Sequence, residues 1–555
     1  MDDDVVMSWD DPHQTALDLA TLPTEILDKI FGYLQPNIQL FNLPKRCDAS
    51  WLIDNDEDRA KRKGLHSLCR TTKRVRKSAT PLLYRNIHIV GWREERKIRL
   101  EQMGVPPYTR VPYELQMDEA ALVRQLTRLL RTISMRRELA ECIQVIRCNQ
   151  SLARRLKEDG MEEQQEDMVL AMGEAIDEGL PTIVQGLFDP IAAGLWDREF
   201  QGTPEKAQMT LLLRLSPNVS ELTLNTYNGS LSRILGLELG SSKSDQFAKL
   251  ATINVITDNF ILNDDHDGIR CLFPEPELYD ERIATFRYLP ALEHYRHHHP
   301  YDIHRALLGR EALRLPFEGY GLRNLSTLHL VDCSLSMEQI IMTIRPCCRL
   351  VEFRFRLFHL TAYEEHDDID RVLDFGGICE ALLQSKDTMR YLSLSMRQAD
   401  GGPPQNCTTL AVGTLNKFTK LQTLLVPAVI LTESPITITY TPGEFEWDST
   451  LQFQLRIVES LPTSITLLGL GNEHLSRPRD GSWHLELTDE ANRQLAMGIG
   501  RLPNLLAVCI LHAAQPDIVY IPDLWDACLQ KGIEYVVQDS LDGDAILLKH
   551  YEMNT

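Results

Sequence analysis

The apolar positions of the chain follow two periods in succession. In LPTEILDKIFGYL, Leu22, Ile26, Ile30 and Leu34 recur every fourth residue while Leu27 and Phe31 widen the stripe. At about 100° per residue this apolar face covers roughly half of a helix. Leu22-Pro23 starts that helix, since the residue before a proline avoids α geometry and proline suits the first helical position; Glu25 complements the N-terminal dipole and Pro36 ends it. A surface helix on one core needs a narrower stripe, so the surplus requires a second wall, in this chain or in another protein. Further on, Leu65, Leu68, Cys69, Thr72 and Val75 fall at helical spacing, with Pro81 as the stop and Leu82–Val90 as a following strand. Leu115–Leu139 and the acidic Lys157–Glu178 read as two more amphipathic helices.

Beyond them a six-residue pattern, apolar-x-x-apolar-x-apolar, takes over. It occurs at Val219/Leu222/Leu224, Leu250/Ile253/Val255, Leu325/Leu328/Leu330, Leu350/Phe353/Phe355, Met389/Leu392/Leu394, Leu421/Leu424/Val426, Ile465/Leu468/Leu470 and Leu505/Val508/Ile510, with weaker copies at Ile143/Ile146/Cys148 and Leu289/Leu292/His294. A single such hexamer arises by chance in any strand. Recurrence every 25 to 45 residues or so, with helical segments between, signals internal repetition. Each strand then points alternate apolar side chains inward, and only stacked neighbours close the core. The predicted fold is α/β: a small helical N-terminal unit, then an irregular solenoid of parallel strands with helical returns. Loops such as Asn263–Arg282 and Thr432–Thr450 bulge from it, and Ile518–Ile521, a helix near Asp523–Lys531, Tyr535–Val537 and Ala545–His550 form a C-terminal cap.

Composition narrows the function classes. The chain has 555 residues, 43% hydrophobic and 25% charged, which are ordinary globular values for several domains or one repeat array. Its formal charge of −21 argues against a surface made as a whole for nucleic acid or anionic lipid. The opening MDDDVVMSWDD is acidic where a secretory signal is basic then apolar, and the longest apolar run, near Leu421–Leu431, is too short to span a membrane. The expected setting is cytoplasmic and/or nuclear, with twelve reduced, mostly buried cysteines and unused sequons at Asn218, Asn228, Asn324 and Asn406. Between Arg59 and Lys77 stand nine Lys/Arg and no acid. Nuclear import and nucleic-acid binding are two readings of that run; a helix with a basic, solvated outer face is the third, and the apolar spacing favours it.

Candidate chemistry is sparse. His294, His297, His298, His299 and His304 are the one metal-like cluster, but Pro300 and the lack of an acidic or cysteine ligand at fixed spacing favour a polar loop. Asp264-Asp265-His266-Asp267 and Asp367-Asp368-Asp370 lack the glycine and terminal glutamate of a calcium loop. GxSxG, GxxxxGK[ST], HExxH and a strand-borne GxGxxG are missing. No residue is a catalytic candidate, and no metal or cofactor is implied.

Leu22-Pro23-x-Glu25-Ile26-Leu27, Ile30-Phe31 and Leu34, then Leu65, Leu68, Cys69-Arg70, Arg74-Val75 and Pro81-Leu82-Leu83-Tyr84-Arg85, together resemble an F-box and the transition that follows it in fungal F-box proteins with leucine-rich-repeat-like tails. The consensus asparagine of regular leucine-rich repeats is mostly missing, and an insert, Gln35–Asp58, separates the first helix from the next. The resemblance implies an acidic tail (1–18), an F-box with insert (19–90, insert 35–58), a helical connector with a first weak repeat (91–205) and a leucine-rich-repeat-like solenoid with its cap (206–555). It also implies a role without catalysis, as the substrate-recognition subunit of an SCF-type cullin-RING ubiquitin ligase. Leu22, Pro23, Ile26, Leu27, Ile30, Phe31 and Leu34 would dock a Skp-type adaptor and through it a cullin, with Leu22, Pro23, Ile26 and Leu27 outermost. The other reading is a repeat scaffold whose F-box is degenerate or serves a non-proteolytic purpose.

In such a solenoid Thr223, Asn254, His329, Arg354, Arg356, Ser393 and Ser395 alternate with inward residues and are expected to be exposed on the concave side. Arg354 and Arg356, beside His329, suit an acidic or phosphorylated protein substrate; alternatively they are solvated arginines offsetting an acidic chain.

Overall fold

The computed structural model describes residues 23–33, 56–89, 118–148, 173, 179–187, 204–225, 247–256, 289–298, 320–333, 337–359, 372–398, 406–408, 415–427, 431, 436–437, 461–471, 496–512 and 522–539. Leu22, Leu34, the acidic tail, the insert up to residue 55, nearly all of Lys157–Glu178, the two aspartate clusters, His299, His304 and Ala545–His550 lie outside them.

Three helices open the described chain: α1 (Thr24–Tyr33), α2 (Asp56–Cys69) and α3 (Lys73–Arg85). They share a small core of Leu27, Phe31, Leu65, Val75 and Ala79. The basic run is therefore two helices and not one. The hydroxyl of Thr72 caps α3 by accepting the Val75 N–H at 3.3 Å, and the Thr71 hydroxyl donates to the Leu68 carbonyl at 2.7 Å, so local hydroxyls break the helix between them. Pro81 lies inside α3 instead of ending it, and the strand is only Asn86–Ile89. Proline removes the bond to the Lys77 carbonyl, but Lys77 and Pro81 both sit on the exposed side, where that carbonyl is not shut away from solvent.

The strands are β1 (Asn86–Ile89), β2 (Val145–Cys148), β3 (Glu221–Asn225), β4 (Thr252–Ile256), β5 (His294–His298), β6 (Thr327–Cys333), β7 (Glu352–His359), β8 (Val372–Asp374), β9 (Tyr391–Gln398), β10 (Asn406–Thr408), β11 (Thr423–Pro427), β12 (Ile436–Thr437), β13 (Leu467–Gly471), β14 (Ala507–His512) and β15 (Glu534–Asp539). Twelve form one sheet in chain order, skipping β8, β10 and β12, and every neighbouring pair is parallel. The three others make a small separate sheet in which β10 runs parallel to β8 and antiparallel to β12. This is an α/β, solenoid-like array.

Its register stacks like on like: Leu222, Ile253, Tyr295, Leu328, Phe353, Leu392, Leu424, Leu468 and Val508 are successive partners, all buried. The β5 repeat is thus Leu292/Tyr295/His297, three residues on from Leu289/Leu292/His294, because Tyr and His fill inward positions where aliphatic residues are the usual signal. One cluster of buried apolar residues runs from Ile89 to Ile533. It takes in helices α4 (Asp118–Met135), α5 (Leu180–Leu187), α6 (Pro204–Leu215), α7 (Met337–Ile344), α8 (Phe375–Leu382) and α9 (Pro522–Lys531) on the same side of the sheet. The region between the first helices and the solenoid therefore shares the solenoid's core.

Backbone bonds repeat with the coils. The carbonyl of Ser220 accepts both Ala251 N–H (2.9 Å) and Thr252 N–H (3.0 Å), and Ala251, Glu293, Ser326, Val351, Arg390, Gln422 and Thr466 each serve the next coil the same way. Asparagines reinforce the joints: the side-chain amides of Asn218, Asn324 and Asn504 donate to the carbonyls of Glu141, Pro290 and Thr463 at 2.7 to 2.9 Å. Two of the sequon asparagines, Asn218 and Asn324, therefore hold adjacent coils together.

Candidate functional site

Two surfaces carry the candidate chemistry. The first is α1. Pro23 precedes it, and its carbonyl accepts the Ile26 and Leu27 N–H groups at 3.1 and 3.0 Å. Leu27 and Phe31 are wholly buried against Leu65, Val75 and Ala79, so they form the unit's own core and not an outer surface. Pro23 is exposed, Ile26 is 42% exposed and Tyr33 83%, with Ile30 half-buried at the boundary. Ile26 and Tyr33 are seven apart and share one side of the helix. The wide stripe thus divides into an inner wall and an outer one, and Tyr33, which the aliphatic pattern passed over, belongs to the outer.

No flexible joint separates this unit from the sheet. Arg85 ends α3 and Asn86 begins β1, the Gln144 N–H donates to the Arg85 carbonyl at 2.9 Å, and Arg85 Nε donates to Gln144 Oε1 at 2.7 Å. Burial, and then the charge of Arg147 in β2, lower the guanidinium of Arg62 in α2 to about 10. Helical unit and first strands are one packed body.

The second surface is the sheet face away from the helices. Residues between the inward ones stack in a row across the strands: His88, Arg147, Thr223, Asn254, Arg296, His329, Arg354, Ser393, Leu425, Gly469, Cys509 and Val536 are partners in register. Thr223, Asn254, His329, Arg354 and Ser393 are buried, contrary to the expected exposure, whereas Arg356 and Ser395 are half-buried. Parallel strands bring stacked side chains within about 5 Å of one another, so long polar groups bond sideways along the row instead of reaching outward. Arg147 donates from Nε and Nη2 to Glu221 Oε1 (3.1 and 2.7 Å), Asn254 donates to Thr223 Oγ1 (3.1 Å), and Arg296 Nη1 donates to Asn254 Oδ1 (3.4 Å).

The densest knot spans β6 to β9. Arg354 Nε donates to Glu352 Oε1 at 2.8 Å, and its guanidinium lies 4.4 Å from the centre of the Tyr391 ring. His329 Nε2 stands 3.0 Å from the same carboxylate oxygen, but neither ring nitrogen makes an aligned hydrogen bond. The sequence pattern marks Arg354 and His329 but not Glu352, the anion that joins them; its place two residues before Arg354, on the same strand face, is the available signal. Arg354 is not a free binding arginine. Beyond Tyr391 the same face turns apolar, with Leu425, Leu467, Ala507 and Cys509 buried together against Val536.

Neither protein-family models nor curated proteins match the chain.

Burial pushes the His329 imidazole from 6.5 down to about 4; Glu352 opposes this, while Arg354 and Arg296 add to it. Burial by itself would raise the Glu352 carboxyl, but His329 and Arg354 outweigh it and hold the carboxyl below the usual carboxylate range. At neutral pH His329 is uncharged, so Arg354 supplies the balancing charge. Both folded groups bind protons less readily than unfolded ones, and their stabilisation is present above the unfolded values and lost on acidification. For His329 the window runs from 6.5 down to about 4, worth roughly 3 kcal/mol when fully traversed. Urea unfolding across that window should show stability falling with pH, and His329→Gln should flatten the slope; equal slopes would remove His329 from the account.

The remaining candidates separate. His294–His298 is strand β5 and not a polar loop, so His294 lies on the polar face and His297 on the core face, where Nδ1 is 3.3 Å from the Tyr295 hydroxyl. Among the described residues no group of His, Cys, Asp and Glu could hold a metal ion. Burial raises the thiols of Cys347 and Cys509 to about 12 and that of Cys528 to about 11, which leaves them poor nucleophiles. Among the described residues no helix is long and apolar enough to cross a membrane.

Proposed function

We propose that this chain is a substrate-recognition subunit of an SCF-type cullin-RING ubiquitin ligase, working in the cytoplasm and/or nucleus and performing no covalent chemistry itself. The observation that carries the reading is α1: one apolar wall buried in a three-helix unit, the other presented outward, on a unit that runs straight into a twelve-stranded repeat sheet. Read as an F-box, the unit docks a Skp-type adaptor through Leu22, Pro23, Ile26, Ile30, Tyr33 and Leu34, and through it a cullin. The sheet face then holds a protein substrate. Because α3 and β1 are contiguous and hydrogen-bonded to the next coil, a bound substrate keeps a fixed position relative to the ligase, and its lysines meet a ubiquitin-charged enzyme at high local concentration.

Arg356 and Ser395, half-buried where Arg354 and Ser393 are covered, keep part of their surface open on that face and suit an acidic or phosphorylated segment. Affinity purification of the full chain should recover adaptor and cullin together. Adaptor without cullin, or neither, would leave a repeat scaffold with a degenerate or non-proteolytic F-box.

A further inference from the structure

The arginines of the sheet face are engaged within the fold, but a second set of cations is not. Arg70, in the turn before α3, and Lys73 and Lys77 on α3 are all exposed, and among the described residues none of their side chains makes a hydrogen bond or an ion pair. Arg74 is exposed beside them. At 100° per residue Lys73 and Lys77 lie opposite Val75 and Ala79, which face the three-helix core with Leu27 and Phe31. The ridge is therefore on the far side of α3 from α1 and its outer apolar wall. Like charges at i, i+4 oppose each other, and no acid lies between Arg59 and Lys77 to relieve them, in a chain whose total charge is −21.

We infer that this ridge is a docking surface for a short acidic segment of a partner protein, distinct from the surface proposed for the adaptor. Two observations favour such a segment over nucleic acid. Arg70, Lys73 and Lys77 span only about two turns of helix, whereas the chain as a whole is strongly acidic and repels a long polyanion lying across it. The exposed residues of the ridge include no aromatic on which a base could stack. The ridge is also not available as a linear import signal in the folded unit, because Val75, in the midst of KRVRK, is core.

The test uses the full-length protein and three fluorescent probes: a short peptide of alternating Asp and Glu, a Gly/Ser peptide of the same length, and a single-stranded oligonucleotide. The acidic peptide should bind saturably, with affinity falling as salt rises, and Lys73→Glu/Lys77→Glu should weaken it roughly tenfold. Arg345→Glu/Arg349→Glu, an equal charge change at exposed positions of the repeat array, should leave it nearly unchanged. Matching thermal melts exclude misfolding, and retained adaptor in the Lys73→Glu/Lys77→Glu protein separates this surface from the one on α1. Failure of the acidic peptide to bind, equal loss in both double variants, or tighter binding of the oligonucleotide through the same lysines would overturn the inference.

Discussion

Glu352→Ala is expected to destabilise the folded chain by about 3 kcal/mol, more than the loss of one ordinary ion pair, because of what it leaves behind. Arg354 is 4% exposed and donates to Glu352, and His329 is 3% exposed beside the same oxygen. With the carboxylate gone, a buried guanidinium keeps its contact with the Tyr391 ring but loses the Glu352 anion, and the repulsion between Arg354 and Arg296 is less offset. Glu352→Ala/Arg354→Leu should recover much of that loss, since it removes the buried positive charge together with the carboxylate that offsets it. Equilibrium unfolding in urea at neutral pH reads both variants. Equal stability of the single and double variants would mean that the pair contributes only packing.

Phe353→Ala should have the largest effect on the array itself. Phe353 is fully buried between Leu328 and Leu392 in the inward row, and truncating a buried phenylalanine costs about 3 to 5 kcal/mol. In a stacked array the damage concentrates at one interface, because each coil is stabilised chiefly by its neighbours. The variant should therefore lose cooperativity, with one unfolding transition separating into two in a denaturant titration followed by circular dichroism. A single transition displaced without broadening would indicate that the coils do not unfold as partly independent neighbours.

These effects were unequally legible in the sequence. Phe353 belonged to a repeated hexamer whose period-2 alternation admits one inward face, and its burial followed directly. The apolar pattern sets the β5 repeat three residues early because Tyr295 and His297 take inward places without being aliphatic. The break between α2 and α3 depends on the hydroxyls of Thr71 and Thr72, which an apolar period cannot register. The same limit applies to the sheet face. Alternation put His329 and Arg354 together, but not their burial or their shared carboxylate, which arise from pairing across strands distant in sequence. On α1, the surplus of apolar residues indicated two walls, and only the packed helices assign Leu27 and Phe31 to one and Ile26 to the other.

That outer wall makes the central claim open to direct measurement. Ile26→Asp/Tyr33→Asp replaces two exposed side chains on one side of α1 and leaves the core of Leu27, Phe31, Leu65, Val75 and Ala79 untouched. Binding of purified Skp-type adaptor to the full chain, followed by calorimetry, should be readily detected for the parent protein and lost in the double variant, with thermal unfolding unchanged. Adaptor binding of undiminished affinity by the variant, or no binding by the parent, would contradict the account.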